Sequence, residues 1–175
     1  MGEGATRGLG EGRRCGVTTF GDAGASRCYT PVMTRVECPC GDIEMELGGE
    51  PVVQLYCHCD DCQRAHGAAC APVAIYHTRD VKVVRGEPRE WRLVSTPRFF
   101  CPNCGTRLFV LGSEQHCAVN AYLLPAGSFR PALHIYCEFA PLPLGDGLPH
   151  YARVPARWGG SDEQMHWPSV AAGAK

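Results

Sequence analysis

Seven of the 12 cysteines in this chain stand in three tight groups: Cys38-Pro39-Cys40, Cys57-His58-Cys59-Asp60-Asp61-Cys62 and Cys101-Pro102-Asn103-Cys104. Few features constrain a fold as strongly. Thiolates this close can share one ion, and the backbone must then hold them at bonding distance. Two doublets supply four thiolates, enough to close a tetrahedral zinc site. The triplet supplies three, which leaves a position for water or substrate unless another side chain fills it.

Other uses of cysteine fit less well. The first 30 residues hold no apolar stretch of the kind a secretion signal needs, which weakens a disulfide framework. A redox pair at Cys101 and Cys104 belongs beside a βαβ pattern, which the sequence does not show. The spacings also differ from those of ferredoxin clusters. Zinc is the expected metal, because it prefers soft thiolate ligands.

The length of 175 residues suits one ordinary domain, and 45% hydrophobic residues can supply its core. A net charge of −1 speaks against a general electrostatic grip on nucleic acid or anionic membrane. Apolar runs such as Leu108 to Leu111 are too short to span a bilayer. A soluble, cytoplasmic protein is expected.

Residues 1–34 carry eight glycines and scattered Arg7, Arg13, Arg14 and Arg27, with few large apolar residues. Such a segment cannot offset its ordering entropy and reads as a disordered tail. Met33 opens the first core-like stretch and is an alternative natural start, which the intact mass of native protein would decide. No role attaches to Cys15 or Cys28. The zinc-binding domain is expected over 35–155, followed by a tail over 156–175 with Trp158 and Trp167 as its anchors.

Within 35–155 the hydrophobic period is two: Ile43, Met45 and Leu47 alternate with Asp42, Glu44 and Glu46. Further strands are predicted at 52–56, 72–77, 81–85, 89–94, 106–111, 116–123 and 132–139. The only helix is predicted around Asp60 to His66. Many short strands at close spacing imply an all-β architecture of antiparallel sheets, a sandwich or partly open barrel.

Local chemistry suggests how the groups form. In an extended strand Cys38 and Cys40 point to one side, and Gly41 then permits a tight turn. Gly105 can take the left-handed conformation that closes a knuckle over Cys101 and Cys104. These four could join as one structural site, although spacing alone also allows the triplet to pair with either doublet. For the triplet, His58, Asp60, Asp61 and His66 are candidate fourth ligands. Without one of them the site stays open, and a soft, open zinc suits a thiol substrate held as its thiolate.

Cys38-Pro39-Cys40-Gly41, then Cys57 to Gly67 (CHCDDCQRAHG), then Phe100 to Thr106 (FCPNCGT) resemble the glutathione-dependent formaldehyde-activating enzyme family, which includes the domain of centromere protein V. The resemblance runs from about Val36 to Arg153. It implies a β-tent fold with two zinc ions. By the same resemblance Cys38, Cys40, Cys101 and Cys104 would hold a structural zinc, and Cys57, Cys59 and Cys62 the catalytic one. The implied chemistry is carbon–sulfur bond formation or cleavage, a lyase activity, as when glutathione condenses with formaldehyde. After Ala126-Gly127-Ser128 the family often has an acidic residue, and here Phe129-Arg130 follow. After Ala140-Pro141 it often has Trp, and here Leu142 stands. Those departures bear on substrate specificity and leave the cysteine sets untouched.

Among other residues, His66 could orient a thiol or move a proton near the metal, or simply cap its helix. Arg64 and Arg98 could bind glutathione carboxylates, although a solvated surface arginine is the more ordinary reading of each. Phe99, Phe100, Cys117 and Cys137 read as core, and Cys70 as a free cysteine in an apolar, strand-like stretch. His134 and Tyr136 fit the family's strand pattern without an assigned role. The partner expected is a small thiol such as glutathione. The alternative to an enzyme is a zinc-stabilised protein-interaction module without catalysis.

Overall fold

A computed structural model of the chain describes residues 33–168. The expected N-terminal tail therefore lies, but for its last two residues, outside the described residues. The architecture is the all-β one expected, with a single short α-helix. Strands β1 (Met33–Glu37), β2 (Glu44–Gly48) and β5 (Val81–Arg85) form a three-stranded antiparallel sheet in the order β1-β2-β5.

The larger sheet has seven strands in the order β10-β3-β4-β9-β8-β7-β6. Its members are β3 (Val53–Cys57), β4 (Ala71–His77), β6 (Arg89–Arg92), β7 (Pro97–Phe100), β8 (Arg107–Leu111), β9 (His116–Asn120) and β10 (Leu133–Ile135). All its pairings are antiparallel except β10 with β3, where Leu133 lies beside Leu55 and Ile135 beside Cys57 in parallel.

Alternation along the strands divides the large sheet into two working faces. Ala74, Tyr76, Cys117, Val119 and Leu108 point towards the small sheet and bury Val36, Met45 and Leu47 against them. Cys38 and Cys101 sit in that same core. The opposite face carries Leu55, Cys57, Val73 and Leu133, with Ile75, Ala118 and Ile135 packed alongside. This second face, away from the main core, carries the triplet.

Helix α1 (Asp60–His66) occurs where predicted. Cys59 caps its start, its sulfur accepting from the Cys62 N–H, and Gly67 ends it at φ 59°. Asp60 and Asp61 occupy the first turn, where carboxylates suit the helix dipole.

Four expectations need correction. Cys38 and Cys40 lie in a turn after β1, not in an extended strand: Gly41 N–H donates to Cys38 O, with Gly41 at φ 79°. The strand expected over 116–123 stops at Asn120, whose side chain accepts from Tyr122 N–H and starts a 3-10 turn. The one expected over 132–139 stops at Ile135, because Tyr136 turns the chain at φ 57° into another such turn. Finally, β7 was not expected as a strand; it is short and opens on a proline.

Gly86, between β5 and β6, combines a left-handed backbone with a close approach that leaves no room for a side chain. It sits at φ 77°, and an added Cβ would lie 2.6 Å from Ile43 Cδ1 and closer still to the Asp42 carbonyl. Gly86→Ala should therefore destabilise the domain by about 2–4 kcal/mol, read as a lower urea midpoint. An unchanged midpoint would show that the 42–43 turn yields freely.

Candidate metal centres and pocket

The two cysteine doublets meet. Backbone bonds from Cys38 N to Ile43 O and from Cys101 N to Thr106 O fold each doublet into a matching turn. The four sulfurs of Cys38, Cys40, Cys101 and Cys104 all lie within 4.8 Å of one another. Cys38 to Cys40 is 3.4 Å and Cys40 to Cys101 is 3.6 Å. Those separations are far longer than the ~2.05 Å of a disulfide. They approach the ~3.8 Å edge of a tetrahedron of sulfurs set ~2.3 Å from a zinc ion. Ile43 N–H donates to Cys38 Sγ, and Thr106 Oγ1 lies 3.2 Å from Cys104 Sγ. Hydrogen bonds from Thr106 pull the Cys104 thiol down to about 6, towards the thiolate a metal needs.

The triplet converges separately, with Cys57, Cys59 and Cys62 also within 4.8 Å. Cys57 ends β3, Cys59 caps α1 and Cys62 lies in its first turn. The hydrogen bonds of Cys57 and Cys62 outweigh burial and draw the Cys59 thiol down to about 3, helped by Cys62 N–H and the charge of Arg98. Sharing with Cys59 and Cys62, together with burial, pushes Cys57 well up. A bound metal would draw off the protons that remain on the three thiols.

None of the candidate fourth ligands joins this group. His58 turns to the other side, its Nε2 lying 2.9 Å from His134 Nδ1. Asp60 pairs with Arg64 on the surface, and Asp61 faces Arg98 at 3.5 Å. His66 ends α1 and lines the pocket in front of the triplet.

That pocket has a volume of about 490 Å³, in the range of small-molecule sites. Leu55, Val73, Ile75, Val110, Ala118 and Ile135 form its apolar wall, continuing the second face of the large sheet. Tyr136, Phe139, Thr96, Gly112 and Arg98 line the rest, together with the carboxylates of Asp60 and Asp61. Burial and the cysteines beside it raise the Tyr136 phenol, which stays protonated at neutral pH. The left-handed backbone that ends β10 carries this ring to the pocket, an unusual conformation for a bulky residue. Arg64 is the exposed, ion-paired arginine that the ordinary reading expects, whereas Arg98 is only 4% exposed. Phe99 stacks on Phe109, and Cys117 and Cys137 are buried as expected.

The sequence gives no hint of one further constellation. His134 donates from Nε2 to Asp146 Oδ2 at 2.9 Å, so its Nδ1 accepts from His58 Nε2. His150 lies against His134, and Trp167 packs edge-on to His58 and His134. Burial lowers His58 to about 4 and lowers His134 as well, so these two imidazoles are neutral at pH 7. The constellation ties the Cys57–Cys59 segment to the 144–150 loop from behind the triplet. Only an appreciation of which distant residues meet could have found it.

Among the described residues, no helix is long and apolar enough to cross a membrane. No curated protein matches the chain. A crystal structure of a Rhodobacter sphaeroides protein is similar at 23% identity and a TM-score of 0.46, covering 53% of this chain and 89% of that one. Residues 33–139 match the family described as glutathione-dependent formaldehyde-activating enzyme. That span holds both cysteine sets and every residue lining the pocket, and the chain belongs to the glutathione-dependent formaldehyde-activating enzyme family.

Proposed function

We propose that this protein is a zinc-dependent carbon–sulfur lyase that joins a small thiol to a carbonyl carbon and reverses that step. Glutathione and formaldehyde are the pair named by its family. The observation that carries the reading is a three-cysteine group facing a largely apolar cleft, with no fourth side chain in the group among the described residues. Cys57, Cys59 and Cys62 would hold the catalytic zinc. Cys38, Cys40, Cys101 and Cys104 would hold a structural one. When bound, zinc at the triplet supplies a soft Lewis acid that favours the thiolate form of a substrate sulfur.

The reaction needs no oxidant or reductant. A sulfur–carbon bond forms, the carbonyl π bond opens, and the thiol's proton ends on the oxygen as a hydroxyl. The chain's own residues shape that exchange. The apolar wall limits water, which would compete for the carbonyl carbon. Tyr136 keeps its proton and can donate a hydrogen bond from Oη to an oxygen in the pocket. His66, whose pKa burial lowers, offers a neutral imidazole on the same pocket lining. Free cysteines throughout the described residues suit the reducing cytoplasm.

Native mass spectrometry of the full chain tests this reading by counting zinc with and without glutathione. Two zinc ions and a glutathione complex are expected. One zinc and no complex would leave a stapled β domain, and an interaction module would become the better account.

A further inference from the structure

Arg98 breaks the pattern of the sheet face on which it lies. Cross-strand pairing sets Val53, Ile75, Ala118, Val110, Arg98 and Trp91 in one row across six strands. Every other residue in that row is apolar or aromatic. The guanidinium is 4% exposed, and its one ion pair, from Nη2 to Asp61 Oδ2, is long at 3.5 Å. Nε and Nη1 are buried and have no hydrogen-bond partner. Burying an ion with two unmet donors is costly, and an apolar residue there would continue the wall. The unmet donors belong to a side chain that lines the pocket together with Cys57, Cys59 and Cys62.

We propose that Arg98 receives an anionic oxygen of the molecule that occupies this pocket. The inference rests on the thiol-adduct reading above and names a recognition element within it. A guanidinium offers adjacent donors in a fixed plane, which matches a carboxylate or an oxygen gaining negative charge. Two sources share that chemistry. One is a carboxylate of the thiol, present in glutathione whether or not a carbonyl compound is bound. The other is the carbonyl oxygen, which gains charge only as the sulfur–carbon bond forms. A cavity of about 10 Å³ touching Arg98 and Arg107 has room for about one water, the competing partner for the unmet donors.

The test compares the wild-type holoprotein with Arg98→Gln and Arg98→Lys. Calorimetry measures binding of glutathione and of its diethyl ester, which lacks both carboxylates. Exchange NMR measures formation of S-hydroxymethylglutathione. If the oxygen is a carboxylate, the wild type should bind the diester about 10–100-fold more weakly than glutathione. Arg98→Gln should then lose glutathione binding by a similar factor, with ester binding unchanged. If the oxygen belongs to the carbonyl compound, both thiols should bind all forms alike, while exchange slows about 100-fold in Arg98→Gln. Arg98→Lys should recover part of either loss. The comparison of the two thiols on wild-type protein needs no variant, so a poorly folded Arg98→Gln does not decide the carboxylate arm. Arg98→Lys, which keeps the charge, decides the other arm by exchange slowed at unchanged affinity. Equal binding of both thiols with unaltered exchange in the variants would overturn the inference and leave Arg98 as a cation met by water. Failure of the wild type to bind any thiol would overturn the lyase reading and this inference together.

Discussion

Cys101→Ser should yield a chain that does not reach the folded state under conditions where the wild type is fully folded. Cys101 is completely buried, and with Cys38 it joins the quartet to the main core, while Cys40 and Cys104 are exposed. The quartet ties the turn after β1 to the turn after β7, joining residues 61 positions apart. Structural zinc contributes about 10–16 kcal/mol to folding in small zinc-binding peptides. Net stabilities of whole domains are about 5–15 kcal/mol. Losing one of four ligands in such a site can therefore remove most of the margin. Near-UV circular dichroism and zinc content of the purified variant check this. A folded variant with a full complement of metal would remove the quartet from the structural role proposed for it.

Cys62→Ala should behave in the opposite way. Cys62 lies in the first turn of α1, where alanine favours the helix, and its sulfur borders the pocket and not the main core. The variant should keep its fold, with a stability change of about 2 kcal/mol or less. It should lose metal at the triplet, bind no glutathione, and fall in turnover by more than the about 10–100-fold typical of disturbing an outer-shell partner. Thiol binding by calorimetry and a urea titration separate these outcomes. If Cys62→Ala unfolds as completely as Cys101→Ser, the triplet is a second staple, and catalysis must be sought elsewhere.

The contrast between the two variants follows lines that were partly visible in the sequence. The tight turn at Gly41, the left-handed Gly105 and helix α1 depend on neighbours within a few residues, and there the reading and the structure agree. Where position depends on pairing between distant strands, they diverge. Arg98 looks like any surface arginine until the register of β7 on β8 places it beside Val110. His58 looks like a ligand because it stands between two cysteines. Strand alternation turns it instead towards His134, 76 residues away. Asp146 and His150 lie in a loop whose destination no local pattern announces. The end of β10 at Ile135 was unreadable for a similar reason, since a tyrosine is a poor predictor of a positive φ.

The parallel seam between β3 and β10 also sets an order of events during synthesis. A ribosome releases the chain from its N-terminus, so Cys57, Cys59 and Cys62 emerge well before Ile135 and Tyr136. For that interval the triplet has no far wall. The quartet must wait for Cys104, and the pocket must wait longer still, until β10 is laid beside β3. The apolar wall is therefore the last part of the candidate site to be assembled, after every cysteine of both sets has been made.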